Sequence, residues 1–230
     1  MTHVLGRGEA VCYLAFMGRA PSFCGVILAA GESSRMGRDK ALLPWPPQAT
    51  GTGAGDTLLS AAIRLFSPHV DLVLVVTGAN ECDLAPVVYA DGGSIVVNPD
   101  PARGQFSSLR VGLQEVLSRG RDAAIITLVD RPPVKPETIL ALTTAFEQAM
   151  RSSKWAVVPE YQGQHGHPIL AGREMIEAFL RAPESSNARE VEHANLAKIQ
   201  YVPVDDPLVV ANVDTPEQYA ALRSNVPQSG

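Results

Sequence analysis

The sequence predicts an α/β domain in which a mostly parallel, twisted sheet is covered by helices on both faces. Three observations carry this. Short apolar runs recur without polar alternation, as strands buried on both faces require. Between them the apolar spacing changes to that of a helix with one buried side. Runs and helical stretches also alternate along the chain, which is the order of βαβ units.

In chain order, Phe23 to Ala30 is the first apolar run. Thr57 to Phe66 follows as a helix with Leu58, Leu59, Ala62, Ile63 and Phe66 on one side and Asp56 as its N-cap. Leu72–Val76 and Ser94–Val97 are the next strands. Ser108 to Arg119 is a helix carrying Leu109, Leu113, Val116 and Leu117, with Ser107 before it and Gly120 after it. The strand Ala123–Val129 leads to a helix over Pro136–Met150 with Pro at its first position. Trp155–Val158 is a strand, and Pro216 opens a last helix to Leu222 capped by Thr215. Residues 1–21 read as an extension, 22–225 as one domain and 226–230 as a tail, with Pro44–Gly55 a flexible insert. Met1 and Met17 are both possible starts.

Composition narrows the classes. Apolar residues make up 46% of the 230, enough for a large core, and the net charge is −5. Without a basic stripe, nucleic-acid binding through a charged face is not expected. Ala10–Met17 is apolar but too short to span a bilayer, and Glu9 and Arg19 spoil it as a secretory signal. Cys12, Cys24 and Cys82 form no C-x-x-C pair and read as small buried hydrophobes in a reducing, cytoplasmic setting.

Ligands of an open α/β sheet bind beyond the carboxyl ends of its strands. The segment after the first run, Gly31-Glu32-Ser33-Ser34-Arg35-Met36-Gly37-Arg38-Asp39-Lys40, is glycine-bounded and basic, suited to cradling phosphates. It lacks the Gly-Lys-Ser/Thr of a P-loop, and Gly51-Thr52-Gly53-Ala54-Gly55 follows no strand, as a dinucleotide fingerprint would require.

The stretch Leu28-Ala29-Ala30-Gly31 through Lys40-Ala41-Leu42-Leu43-Pro44 resembles the signature of the nucleotidyltransferases that act on molybdopterin. Arg103-Gly104-Gln105-Phe106-Ser107-Ser108-Leu109, Asp130-Arg131-Pro132, Gly166-His167-Pro168 and Asn212-Val213-Asp214-Thr215-Pro216 extend the resemblance over most of residues 22–223. It implies a three-layer α/β/α, Rossmann-like nucleotidyltransferase fold and transfer of a nucleoside monophosphate, CMP from CTP, to a phosphorylated acceptor. Molybdopterin cofactor is the acceptor implied, with a molybdoenzyme receiving the product. Leu28, Ala29, Ala30, Gly31, Ser33, Arg35, Lys40, Asn98, Gly104, Ser107 and Ser108 would then bind nucleotide, with Arg35, Lys40 and Asp130 catalytic. Arg131 and His167 would face the acceptor. A neutral residue is what the resemblance leads one to expect at Arg131, and Pro183–Glu190 also departs from it, which bears on acceptor identity.

Asp130 and Asp214 each end an apolar stretch. Two carboxylates reaching a phosphate site suit Mg²⁺, although Asp214 also stands where a helix cap would, and Asp130 where a surface turn would. An acceptor phosphate is already an anionic nucleophile, so no general base is required, and no Ser–His–Asp or Cys–His pairing is evident. His165 reads as a turn residue. Two other readings stand: transfer to a sugar or polyol phosphate, and a non-catalytic accessory protein that carries the finished cofactor.

Overall fold

The computed structural model describes residues 22–31, 36–47 and 56–222. Eight strands form one mixed sheet: β1 (Phe23–Leu28), β2 (Leu72–Thr77), β3 (Ser94–Val97), β4 (Ala123–Leu128), β5 (Ala156–Tyr161), β6 (Gln164–His165), β7 (Ile169–Gly172) and β8 (Ile199–Pro203). Their order is β3-β2-β1-β4-β7-β5, with β6 and β8 both paired to β5. β1, β2, β3 and β4 are parallel, as are β5 and β8, whereas β7 runs antiparallel to β4 and β5.

Strand alternation sends successive side chains to opposite faces. Phe23 and Ile27 of β1 join a core with α1 (Leu58–Phe66) and α4 (Pro136–Arg151). Cys24, Val26 and Leu28 join the other, with α3 (Gln105–Ser118) and α5 (Arg173–Arg181). Both faces are therefore covered, as the unalternating runs predict. The remaining helices are α2 (Glu81–Ala90), α6 (Ala188–Ala194) and α7 (Pro216–Ala221).

Several element ends differ from expectation. The cap of α1 is Thr57, not Asp56: its hydroxyl accepts from Ser60 N at 3.0 Å while the Ser60 hydroxyl accepts from Thr57 N at 2.6 Å. Asp56 instead pairs with Arg64. α3 begins three residues early, because Gly104 at φ +91° turns the chain directly into it. Such a φ favours glycine. α2, α5, α6, β6, β7 and β8 are not among the elements expected from the sequence. In α2 the helical signal is faint because Pro86 interrupts it and only Leu84 and Val88 are buried.

Cys24 is buried and pushed up to about 12 by desolvation, but Cys82 is exposed on the first turn of α2, against expectation. Cys12 and the insert residues 48–55 lie outside the described residues. No helix among the described residues is long and apolar enough to cross a membrane.

Candidate active site

The strand order reverses at β1, whose neighbours are β2 on one side and β4 on the other. The carboxyl ends of β1 and β4 meet there, at the kind of crevice where open parallel sheets bind ligands. A cavity of about 330 Å³ occupies the place. Leu28, Ala30 and Gly31 line it from β1, and Leu128, Val129 and Asp130 from β4. Lys40, Gly104, Gln105, Ser108 and Asp214 close it.

Each charged group arrives for a local reason. Asp39 caps a short 3-10 turn over Lys40–Leu42 by accepting from Ala41 N at 2.9 Å, which fixes the backbone of Lys40. Lys40 is buried, and its Nζ donates to Asp214 at 2.8 Å and to Asp130 at 3.3 Å. Val213 N donates to the Asp130 carbonyl at 2.8 Å, and this bond brings Asp214 beside Asp130. The cap of α7 is Thr215, which leaves the Asp214 carboxylate to Lys40 and Asn212. The buried Oδ1 of Asp130 and Oδ1 of Asn212 have no hydrogen-bond partner. A buried carboxylate oxygen without a donor is costly unless a ligand supplies the missing charge.

This donor set fits a hard cation. Among the described residues no cluster of three or more His, Cys, Asp or Glu could cage a metal alone. Mg²⁺ needs no such cage, since it is commonly held by one or two carboxylates together with phosphate oxygens and water. Asp130 and Asp214 would hold it, and they border the same cavity as the glycine turn. The amino end of α3 also borders that cavity, and its dipole and first N–H groups favour an anion there.

The expected nucleotide residues divide. Leu28, Ala30, Gly31, Lys40, Gly104 and Ser108 line the cavity. Ala29 does not: it is buried, its N–H donates to Val76 O at 2.8 Å and its carbonyl accepts from Asn80 at 2.9 Å. Asn98 is buried and holds the turn before α3, donating to Ser107 at 2.9 Å and Ser108 at 3.0 Å while accepting from Asp100 N at 3.0 Å. Asn98 and Ser107 face a neighbouring depression instead. Ser33 and Arg35 lie outside the described residues.

A second cleft of about 850 Å³ adjoins the first and shares Leu28, Gly104, Gln105 and Leu128 with it. Arg131 and His167 both line this cleft. Arg131 is half-buried: its Nη1 donates to Ala211 O at 3.0 Å and its Nε is buried without a partner. Burial, and then the Arg131 charge, push His167 down to about 3, so its imidazole is neutral at ordinary pH although one side faces the cleft. Gly166 is required because a Cβ there would lie 2.0 Å from Val209 O. His165, expected only as a turn residue, stacks on Tyr201 at 3.8 Å between ring centres and contacts Glu160 at 3.3 Å.

Sequence reasoning missed Asn80, whose amide joins Ala29 to Asp39, and Glu192, which lines the second cleft with its pKa raised by desolvation. Position after a strand was the available signal for Asn80, since it lies just past the carboxyl end of β2. Glu192 offered none, because it follows Pro183–Glu190, where the resemblance departs, and belongs to no motif.

Comparison with known proteins agrees with this geometry. A family model described as "MobA-like NTP transferase domain" matches residues 25–199. The chain is 26% identical over 201 residues to a molybdenum cofactor cytidylyltransferase of Escherichia coli, covering 86% of this chain and 94% of that protein. It is 31% identical over 206 residues to a probable molybdenum cofactor guanylyltransferase of Mycobacterium avium, covering 90% and 98%. The crystal structure of Rv0371c from Mycobacterium tuberculosis superposes with a TM-score of 0.73 at 26% identity, covering 89% of this chain and all of the other. A complex of Rv0371c with manganese superposes at 0.67, with 25% identity and coverage of 89% and 100%.

Proposed function

The chain belongs to the MobA-like NTP transferase family, and on that premise we propose that it transfers CMP from CTP to a phosphate of molybdopterin cofactor. The acceptor phosphate oxygen attacks the α-phosphorus, the bond from that phosphorus to the bridging oxygen breaks, and pyrophosphate leaves. One observation carries the reading: Gly31, Lys40, Asp130 and Asp214 border a single cavity of about 330 Å³ that adjoins a larger cleft carrying a guanidinium.

In this reading the triphosphate lies along Gly31 and beside Lys40. Lys40 binds its oxygens and stabilises charge that builds up at the α-phosphate, with Arg35 as a second cation. Asp130 and Asp214 hold Mg²⁺, which would neutralise phosphate charge when bound. Arg131 receives the acceptor phosphate and the neutral His167 shapes the wall beside it. The chemistry is in-line positioning and charge screening, so the lack of a strong general base is not a defect. The nucleobase lies against the Gly104–Ser108 turn, which Asn98 keeps rigid. Choice of cytosine rests on the Arg-Gly-x-x-Ser-Ser-Leu loop, because the relatives divide between cytidylyl and guanylyl names. The reaction belongs in the cytoplasm, upstream of a molybdoenzyme.

The test is pyrophosphate release with each of four NTPs, offered molybdopterin cofactor and, separately, sugar and polyol phosphates. Turnover with molybdopterin cofactor is expected. In a mixture of equal CTP and GTP the cytosine product should dominate by mass. Mainly guanine product overturns the base assignment, and turnover only on a polyol phosphate overturns the acceptor.

A further inference from the structure

Asn80 stands half-buried just beyond β2, lines neither cavity, and spends its whole amide on three different segments. Its Nδ2 donates to Ala29 O at the end of β1, at 2.9 Å, and to Asp39 Oδ2, at 2.6 Å. Its Oδ1 accepts from Gly78 N at 3.1 Å. The orientation of the amide is fixed by chemistry: a carbonyl and a carboxylate on one side demand the NH₂, and an N–H on the other demands the oxygen. Asp39 in turn uses its second oxygen to cap the turn that begins with Lys40.

We propose that Asn80 is a positioning residue for nucleotide binding and transfer, acting through Asp39 to hold Lys40 at the phosphates. This rests on the reading of Lys40 as the phosphate-binding cation. The argument is one of geometry. Lys40 reaches the cavity from a turn, not from a strand. The far side of that turn is anchored by Ala41 and Leu43 in the core and by Leu58 N, which donates to Leu43 O at 2.8 Å. On the near side Asn80 supplies the tie, joining Asp39 to the ends of both β1 and β2. No other side chain of this size offers two donors and an acceptor on one plane, apart from the longer Gln. Aspartate keeps the shape but turns both donor contacts into repulsion, carboxylate against carbonyl and carboxylate against carboxylate.

The experiment is a double-mutant cycle on CTP affinity with Mg²⁺, measured calorimetrically on the full chain for wild type, Asn80→Asp, Lys40→Ala and the double variant. Asn80→Asp should weaken CTP binding about tenfold, in the range of a lost charge-assisted contact. In the Lys40→Ala background the same change should have almost no effect, since residues acting as a unit are not additive. Equal losses in both backgrounds overturn the proposal, because they mark a general structural role. Unchanged affinity in Asn80→Asp overturns it too. If Lys40→Ala alone binds CTP normally, the reading of Lys40 fails and the proposal with it. Melting curves check folding, and if Asn80→Asp does not fold, Asp39→Asn enters the same contact from its other partner with the same expectations. In turnover, Asn80→Asp should impair nucleotide kinetics while the acceptor KM holds.

Discussion

Lys40 places one ammonium between carboxylates that lie 90 and 174 residues away in the chain. Asp130→Asn keeps the shape of the first and removes its charge. Turnover should fall by at least about tenfold, the factor that 1.4 kcal/mol represents. The loss of activity should exceed the loss of stability, because a carboxylate oxygen buried without a donor is already a cost to the fold and Lys40 keeps its shorter contact to Asp214 at 2.8 Å. Activity within twofold of wild type would show the wrong carboxylate. His167 makes a different kind of prediction. Its folded pKa of about 3 lies below the ordinary 6.5, so neutral imidazole is what the fold accommodates. Stability from this residue is complete above 6.5 and declines as pH falls from there toward 3, by at most about 1.4 kcal/mol per unit. Comparing melts of wild type and His167→Gln from pH 7 to 5 should show the gap narrowing or reversing as pH drops. A constant gap would contradict it.

At the scale of elements, α3 lies hard against the sheet. A Cβ on Gly112 would come within 2.8 Å of Val26 Cγ1 and 2.9 Å of Val76 Cγ2. Gly112→Ala should therefore cost about 1–3 kcal/mol, as overpacking does. It should also weaken nucleotide binding, since displacing α3 displaces Gly104 and Ser108 at the cavity; chemical denaturation and CTP titration would check both. The central strands were legible because a strand covered on both faces must be almost entirely apolar, as β1 is and as β4 is apart from Thr127. The start of α3 was not, because a glycine with positive φ leaves no hydrophobic trace. β7 escaped for a related reason: Ile169–Gly172 is too short to separate from the turn before it. Of the site, Gly31, Lys40 and Asp130 could be read because they follow a strand or sit in a long motif. Asn80 also follows a strand, but it works through its neighbours, and its position alone does not say what a side chain that serves others does.

Across the whole molecule, Arg131 tests the division into two compartments. Arg131→Gln should raise the acceptor KM severalfold and leave the nucleotide Kd alone; steady-state kinetics with each substrate varied in turn would show it. An effect on nucleotide affinity alone would place Arg131 in the wrong compartment. The acceptor cleft is reached from both strand directions. Gly31, Asp130 and Arg131 come after parallel strands, whereas His167 comes before β7, the strand that runs the other way beside β4. Ile169, at the start of β7, sits opposite Ile126 near the end of β4. Reversing one strand thus lets a preceding loop open onto the same rim as the following loops. Insertions or replacements in Gln164–Pro168 then leave the connections that grip the nucleotide uncut. Such an arrangement gives a lineage freedom to try new second substrates on an old donor chemistry.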